Sequence, residues 1–82
     1  MKRPRDLSGQ ELAKLLRRYG YQVTRQTGSH MRLTSDIKGT EHRITIPAHG
    51  ELRVGTLSAI LTSVAAYLEK DFQDFLNELF QV

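Results

Sequence analysis

The stretch TRQTGSHMRL, residues 24–33, sets His30 directly after Gly28-Ser29 and two positions before Arg32, where a turn feeds an extended segment. An imidazole, with an ordinary pKa near ~6.5, can accept or donate a proton at neutral pH. A guanidinium beside it can hold a phosphate oxygen against the ring. Gly28 would let backbone approach a ligand closely. The chemistry within reach is proton transfer on a phosphate-bearing substrate, although an ordinary surface histidine at a strand start fits the same residues.

Whether these groups meet depends on the elements around the turn. Ser8 followed three residues later by Glu11 predicts a capping box, which satisfies two backbone N–H groups at a helix start. Leu12, Leu15, Leu16 and Tyr19 recur at helical spacing and Gly20 supplies a stop, so a helix is expected over about residues 9–19. Residues 21–27 read as a strand with Val23 inward, and Gly28-Ser29 as a tight turn into a second strand over 30–34. If Met31 and Leu33 face the core, His30, Arg32 and Thr34 point to the other face of the pleat.

A polar loop around Gly39 precedes a third strand over 41–46, with Ile44 and Ile46 inward and Pro47 ending the pairing. Thr56 is placed to cap a second helix, whose stripe of Leu57, Ile60, Leu61 and Val64 should cover the sheet. A last helix should start near Asp71, with Asp74 at its positive end and Phe72, Phe75, Leu76, Leu79 and Phe80 as its apolar side. The Leu and Phe stripes read as core, although Phe72, Phe75 and Phe80 are a large apolar set for so small a chain and could partly serve a partner surface. The order is α-β-β-β-α-α: an α+β fold with a three-stranded antiparallel sheet and an extra C-terminal helix.

The 82 residues support one small domain over 1–82, with 1–6 as a basic tail and 71–80 as an accessory helix. No cysteine is present, which excludes disulfides and thiolate metal sites and suits a reducing cytoplasm. No apolar run is long enough to cross a bilayer, and the basic opening residues lead into no signal-peptide core, so a cytoplasmic protein without a membrane partner is expected. Residues 1–55 hold 11 of the 12 Lys and Arg against 5 of the 9 Asp and Glu, a net +6, whereas residues 56–82 carry a net −3. That asymmetry fits a polyanion-binding surface followed by an acidic segment, and equally a solvated basic face. No carboxylate pair or His/Asp/Glu cluster has metal-ligand spacing, so neither a metal nor a small-molecule cofactor is expected.

The line SGQELAKLLRRYGYQVTRQTGSHMRL, followed by ITIPAHGELRVGTLSAIL, resembles the HicA family of bacterial toxin-antitoxin toxins, over roughly residues 7–64. Its parts are the opening helix, the GYQVTRQTGSH strand-turn-strand, the IPAH strand end and the ELRVGTLSAIL entry into the next helix. The resemblance implies a fold similar to the double-stranded-RNA-binding domain, activity as an mRNA interferase, and a cognate HicB-like antitoxin as partner. It also implies that the histidine of the Gly-Ser-His element, here His30, is the catalytic residue. The family often has a second histidine right after it, where this chain has Met31. His49 matches a histidine often seen after the IP strand end and could assist or cap the loop; His42 has no counterpart role.

RNA carries its own nucleophile. Removing the proton from a 2′-hydroxyl lets it attack the adjacent phosphate, leaving a cyclic phosphate and a 5′-hydroxyl, and one positioned acid-base group contributes on the order of 10² to 10⁴ in rate. The expected site is therefore His30 as a metal-independent general acid/base, with Arg25 and Arg32 on the phosphate, Gly28 and Ser29 presenting backbone at the turn, and Arg43 a weaker candidate. Arg53 before Gly55-Thr56 could add a helix-terminal phosphate contact, though capping by Thr56 explains those residues as well. Two other classes fit the composition. A non-catalytic RNA-binding module would share fold and charge, but TLSAILTSVA lacks the lysine cluster that usual double-stranded-RNA binders carry there. A pure interaction subunit would not need His30 at all.

Overall fold

The computed structural model describes residues 7–81. The basic tail expected at 1–6 lies outside the described residues. The expected capping box is present: Glu11 N–H donates to Ser8 Oγ at 3.1 Å, and Ser8 N–H donates to Glu11 Oε1 at 3.0 Å. They start α1 (Gly9–Leu16), which tightens into a 3₁₀ turn over Arg17–Tyr19 and stops at Gly20, φ 86°. Leu12, Leu16 and Tyr19 are buried on its core side.

Three strands follow, β1 (Gln22–Thr27), β2 (His30–Ser35) and β3 (His42–Pro47), in an antiparallel sheet of order β1-β2-β3. Met31 and Leu33 of β2 pair with Ile46 and Ile44 of β3, and all four are buried under the helices. This is the inward set that alternation required. Val23 departs from expectation. It pairs with Leu33 and so shares the helix-side face, yet it is 49% exposed. β1 is an edge strand that α1 covers only in part, and an open groove lined by Lys14, Arg17, Val23 and Met31 runs between the two.

The helical layer is anchored at both ends of the sheet. A Cβ on Gly9 would stand 1.8 Å from the Pro47 carbonyl oxygen, so α1 begins pressed onto the end of β3 where only glycine fits. At the opposite end, buried Ser35 donates to the Tyr19 carbonyl at 2.8 Å and accepts the Ile37 N–H at 3.3 Å. No polar side-chain atom is left buried without a partner among the described residues.

α2 (Val54–Leu68) packs on β3 through Leu57, Ile60, Leu61 and Val64, as the stripe predicts. Its start corrects the reading of Thr56 as cap. The helix begins at Val54 with Arg53 in the N-cap position and no side-chain cap bond, and Leu57 N–H already donates to the Arg53 carbonyl at 2.9 Å. Thr56 therefore sits inside the first turn, where its hydroxyl cannot cap. α3 (Phe72–Phe80) is capped by Asp71, which accepts from Asp74 N–H at 3.0 Å.

Phe75 and Phe80 are core, as the stripe predicts, and leave the partner surface to others: α3 folds back onto α2 and the 3₁₀ turn, with Phe75 edge-on to Tyr19 at 5.3 Å. Only Phe72, 38% exposed, stays at the surface. The Tyr19 hydroxyl donates to Glu78 at 2.5 Å. Burial and that bond push Tyr19 up to about 12, while the same bond holds Glu78 below its ordinary carboxylate range. The whole is the expected α-β-β-β-α order with an added C-terminal helix, and it leaves one sheet face bare.

Candidate active site

Thr27 pairs with His30 across the two-residue loop Gly28-Ser29. Gly28 takes φ +54° at the first loop position, where a type II′ hairpin turn demands glycine. A Cβ there would meet nothing within 4 Å, so conformation rather than space selects the residue. Ser29 contributes twice. Its Oγ lies 3.4 Å from His30 Nδ1, and its carbonyl accepts the Ala48 N–H at 2.6 Å, fastening the turn to the chain just past β3. His30 itself is exposed and stands opposite Pro47. Nε2 has no partner among the described residues and is free to exchange a proton with a ligand.

Arg25 lies directly across the ladder from Arg32, on the bare face that also carries His30. The two-residue loop fixes this match, since Thr27 opposite His30 sets Arg25 opposite Arg32; beyond it the register slips between Val23 and Arg25, so Thr24 has no ladder partner and shares the open face with Arg25. Like charges directly opposite on a sheet destabilise it. Neither guanidinium has an acidic partner among the described residues. Arg43 differs, because Glu41 Oε1 accepts from its Nε at 2.9 Å and lies 2.7 Å from its Nη2. These residues rim a shallow depression of about 290 Å³ with Thr24 and Thr34, whose hydroxyls are hydrogen-bonded at 2.9 Å. Sequence reading singled out neither the Thr24–Thr34 pair, which depends on the bulge between the strands, nor the Glu41 clamp on Arg43, two residues apart along one segment.

The three histidines divide by surroundings. His42 lies at the far end of the sheet, opposite Ser35. It is hydrogen-bonded to the Tyr21 hydroxyl at 2.6 Å through Nδ1 and to Ser63 Oγ at 3.0 Å through Nε2, and it stacks on Tyr67 at 4.7 Å. Tyr67 in turn donates to the Thr40 carbonyl. A neutral ring that accepts at one nitrogen and donates at the other satisfies both contacts, and burial holds His42 below its ordinary range. It is a tie between sheet and α2. His49 is exposed in the bend after Ala48, at the His30 end. Arg53 is exposed at the start of α2.

The structure thus gathers His30, Gly28 and Ser29 at one strand end, and Arg25 with Arg32 one ladder step along the same face. Among the described residues no three His, Cys, Asp or Glu form a metal-binding group, and no helix is long and apolar enough to cross a membrane. Helices on one side of a three-stranded sheet and a bare, basic, histidine-bearing face on the other define a small α+β protein built like the double-stranded-RNA-binding domain. The family model described as HicA toxin of bacterial toxin-antitoxin systems matches residues 9–65, well over half of the chain. The chain belongs to the HicA toxin family. No individual curated protein and no solved structure matches it.

Proposed function

We propose that this toxin is a metal-independent endoribonuclease that cleaves mRNA in the cytoplasm, with His30 as general acid/base, and that a HicB-like antitoxin blocks it. The observation that carries the reading is the pairing, on one sheet face, of an exposed imidazole with two arginines that have no acidic partner among the described residues. An RNA strand laid along that face would place backbone phosphates against Arg25 and Arg32. Gly28 and Ser29 would shape the turn against which the ribose rests. His30 takes the 2′-hydroxyl proton, the freed oxygen attacks the adjacent phosphorus, and guanidinium charge offsets the pentavalent oxyanion. Membership of a toxin family adds that the activity is held in check by a partner protein.

The test is incubation of the purified protein with a labelled single-stranded RNA, with and without EDTA. Cleavage in both conditions, lost in His30→Ala, is the expected result. Binding without turnover would instead mark a non-catalytic RNA-binding module, and neither binding nor turnover a pure interaction subunit.

A further inference from the structure

Transfer of a phosphoryl group from O5′ to O2′ moves two protons: one leaves the attacking hydroxyl and one must reach the departing oxygen. His30 accounts for the first, which leaves the source of the second open. Among the three histidines, His42 is tied at both ring nitrogens and lies five residues along β2 from His30, about 17 Å at the usual strand rise. The tyrosines lie away from the His30 end too, with Tyr21 and Tyr67 gathered around His42 and Tyr19 packed against α3.

His49 is placed differently. His30 pairs with Pro47, and the 2.6 Å bond from Ala48 N–H to the Ser29 carbonyl carries the pairing one residue past the His30–Pro47 end of β2 and β3. Side chains alternate along that extension: Ala48 is buried on the helix side and His49 is exposed. Counted at the usual strand rise, His49 stands two residues, about 7 Å, beyond the direct partner of His30, a spacing that two imidazoles flanking one phosphodiester can bridge. No hydrogen bond or ion pair occupies its ring among the described residues.

Building on the reading of His30 above, we propose that His49 is a second catalytic residue, the general acid that protonates the leaving 5′-oxygen. In the step, the O2′–H proton passes to His30 and the O2′ electron pair forms the O2′–P bond. The P–O5′ bond breaks with its electrons on O5′, which takes a proton from His49. The products are a 2′,3′-cyclic phosphate and a 5′-hydroxyl. Exchange with water returns both rings to their starting states. The Ala48–Ser29 bond gives the pair its spacing, because it locks the His30 turn and the His49 bend to each other.

The experiment compares His49→Ala and His30→Ala on two RNAs, one ordinary and one with a 5′-bridging phosphorothiolate at the cleaved linkage, whose thiolate leaves without a proton. His49→Ala should lose roughly 10²- to 10⁴-fold on ordinary RNA and recover to near the unsubstituted rate on the phosphorothiolate, whereas His30→Ala stays slow on both. A full rate for His49→Ala on ordinary RNA overturns the assignment. So does an equal loss on both substrates, which marks a merely structural role. If the unsubstituted protein cleaves neither RNA, it is the ribonuclease reading itself that falls.

Discussion

At the scale of single residues, the bare sheet face separates arginines that hold an anion from one already neutralised. Arg25 and Arg32 oppose each other with no acidic partner among the described residues, so each should contribute to the salt dependence of RNA binding. Arg25→Gln or Arg32→Gln should flatten the log-affinity against log-salt slope by about 0.7, the amount for one phosphate on a single strand. Arg43→Gln should leave the slope nearly unchanged, because Glu41 already neutralises that guanidinium. An unchanged slope for Arg32→Gln would remove it from the site. His42 is a proton switch for stability: burial keeps its ring neutral in the folded protein below the pH at which the unfolded chain, near ~6.5, has taken a proton. The unfolded state therefore binds more protons in that window, and stability should fall as pH drops below about 6.5. A His42→Gln variant should show a flatter dependence of Tm on pH there; an equal slope would place its origin elsewhere.

At the scale of elements, what the sequence announces is what local chemistry decides. The Ser8–Glu11 box and the left-handed stop at Gly20 each rest on residues within one turn, and both are present. So is the alternation of β2, where Met31 and Leu33 go in and His30 and Arg32 come out. The exposure of Val23 was not legible, because it turns on how far α1 reaches over β1. The partner of Arg32 follows from the two-residue loop, which sets Thr27 opposite His30 and so Arg25 opposite Arg32; what was hidden is the bulge at Thr24, which slips the register beyond and brings Val23 opposite Leu33. Two backbone positions give sharp expectations. Gly9→Ala should cost about 1–3 kcal/mol, since a methyl group would collide with Pro47. Glu69 ends α2 at φ 59°, so Glu69→Gly should stabilise by about 0.5–1 kcal/mol in urea unfolding. The Lys38–Glu69 ion pair that it sacrifices is solvent-exposed and contributes little.

At the scale of the whole molecule, the helices shelter one face of the sheet and leave the other for a ligand. A HicB-like antitoxin that inhibits by covering that face would present acidic or polar groups where RNA phosphates lie, drawn by the same cations. Diethyl pyrocarbonate modification, mapped by peptide mass, should then spare His30 in the saturated, catalytically silent complex. Persistent reactivity there would mean that inhibition works by another route. The apolar part of such an interface cannot draw on Phe75 or Phe80, which serve the core; Phe72 is the aromatic side chain of α3 that a partner can reach. The central claim is that this face removes a 2′-hydroxyl proton through His30. It is tested most directly with a DNA oligonucleotide carrying a single ribonucleotide, incubated in EDTA with the unsubstituted protein and with folded His30→Ala, the products being read by mass spectrometry. The account predicts one cut, immediately 3′ of the ribose, with a 2′,3′-cyclic phosphate on one fragment, a 5′-hydroxyl on the other, and no cut by His30→Ala. Cleavage at the deoxy positions, 5′-phosphate ends, or an unimpaired His30→Ala would contradict it.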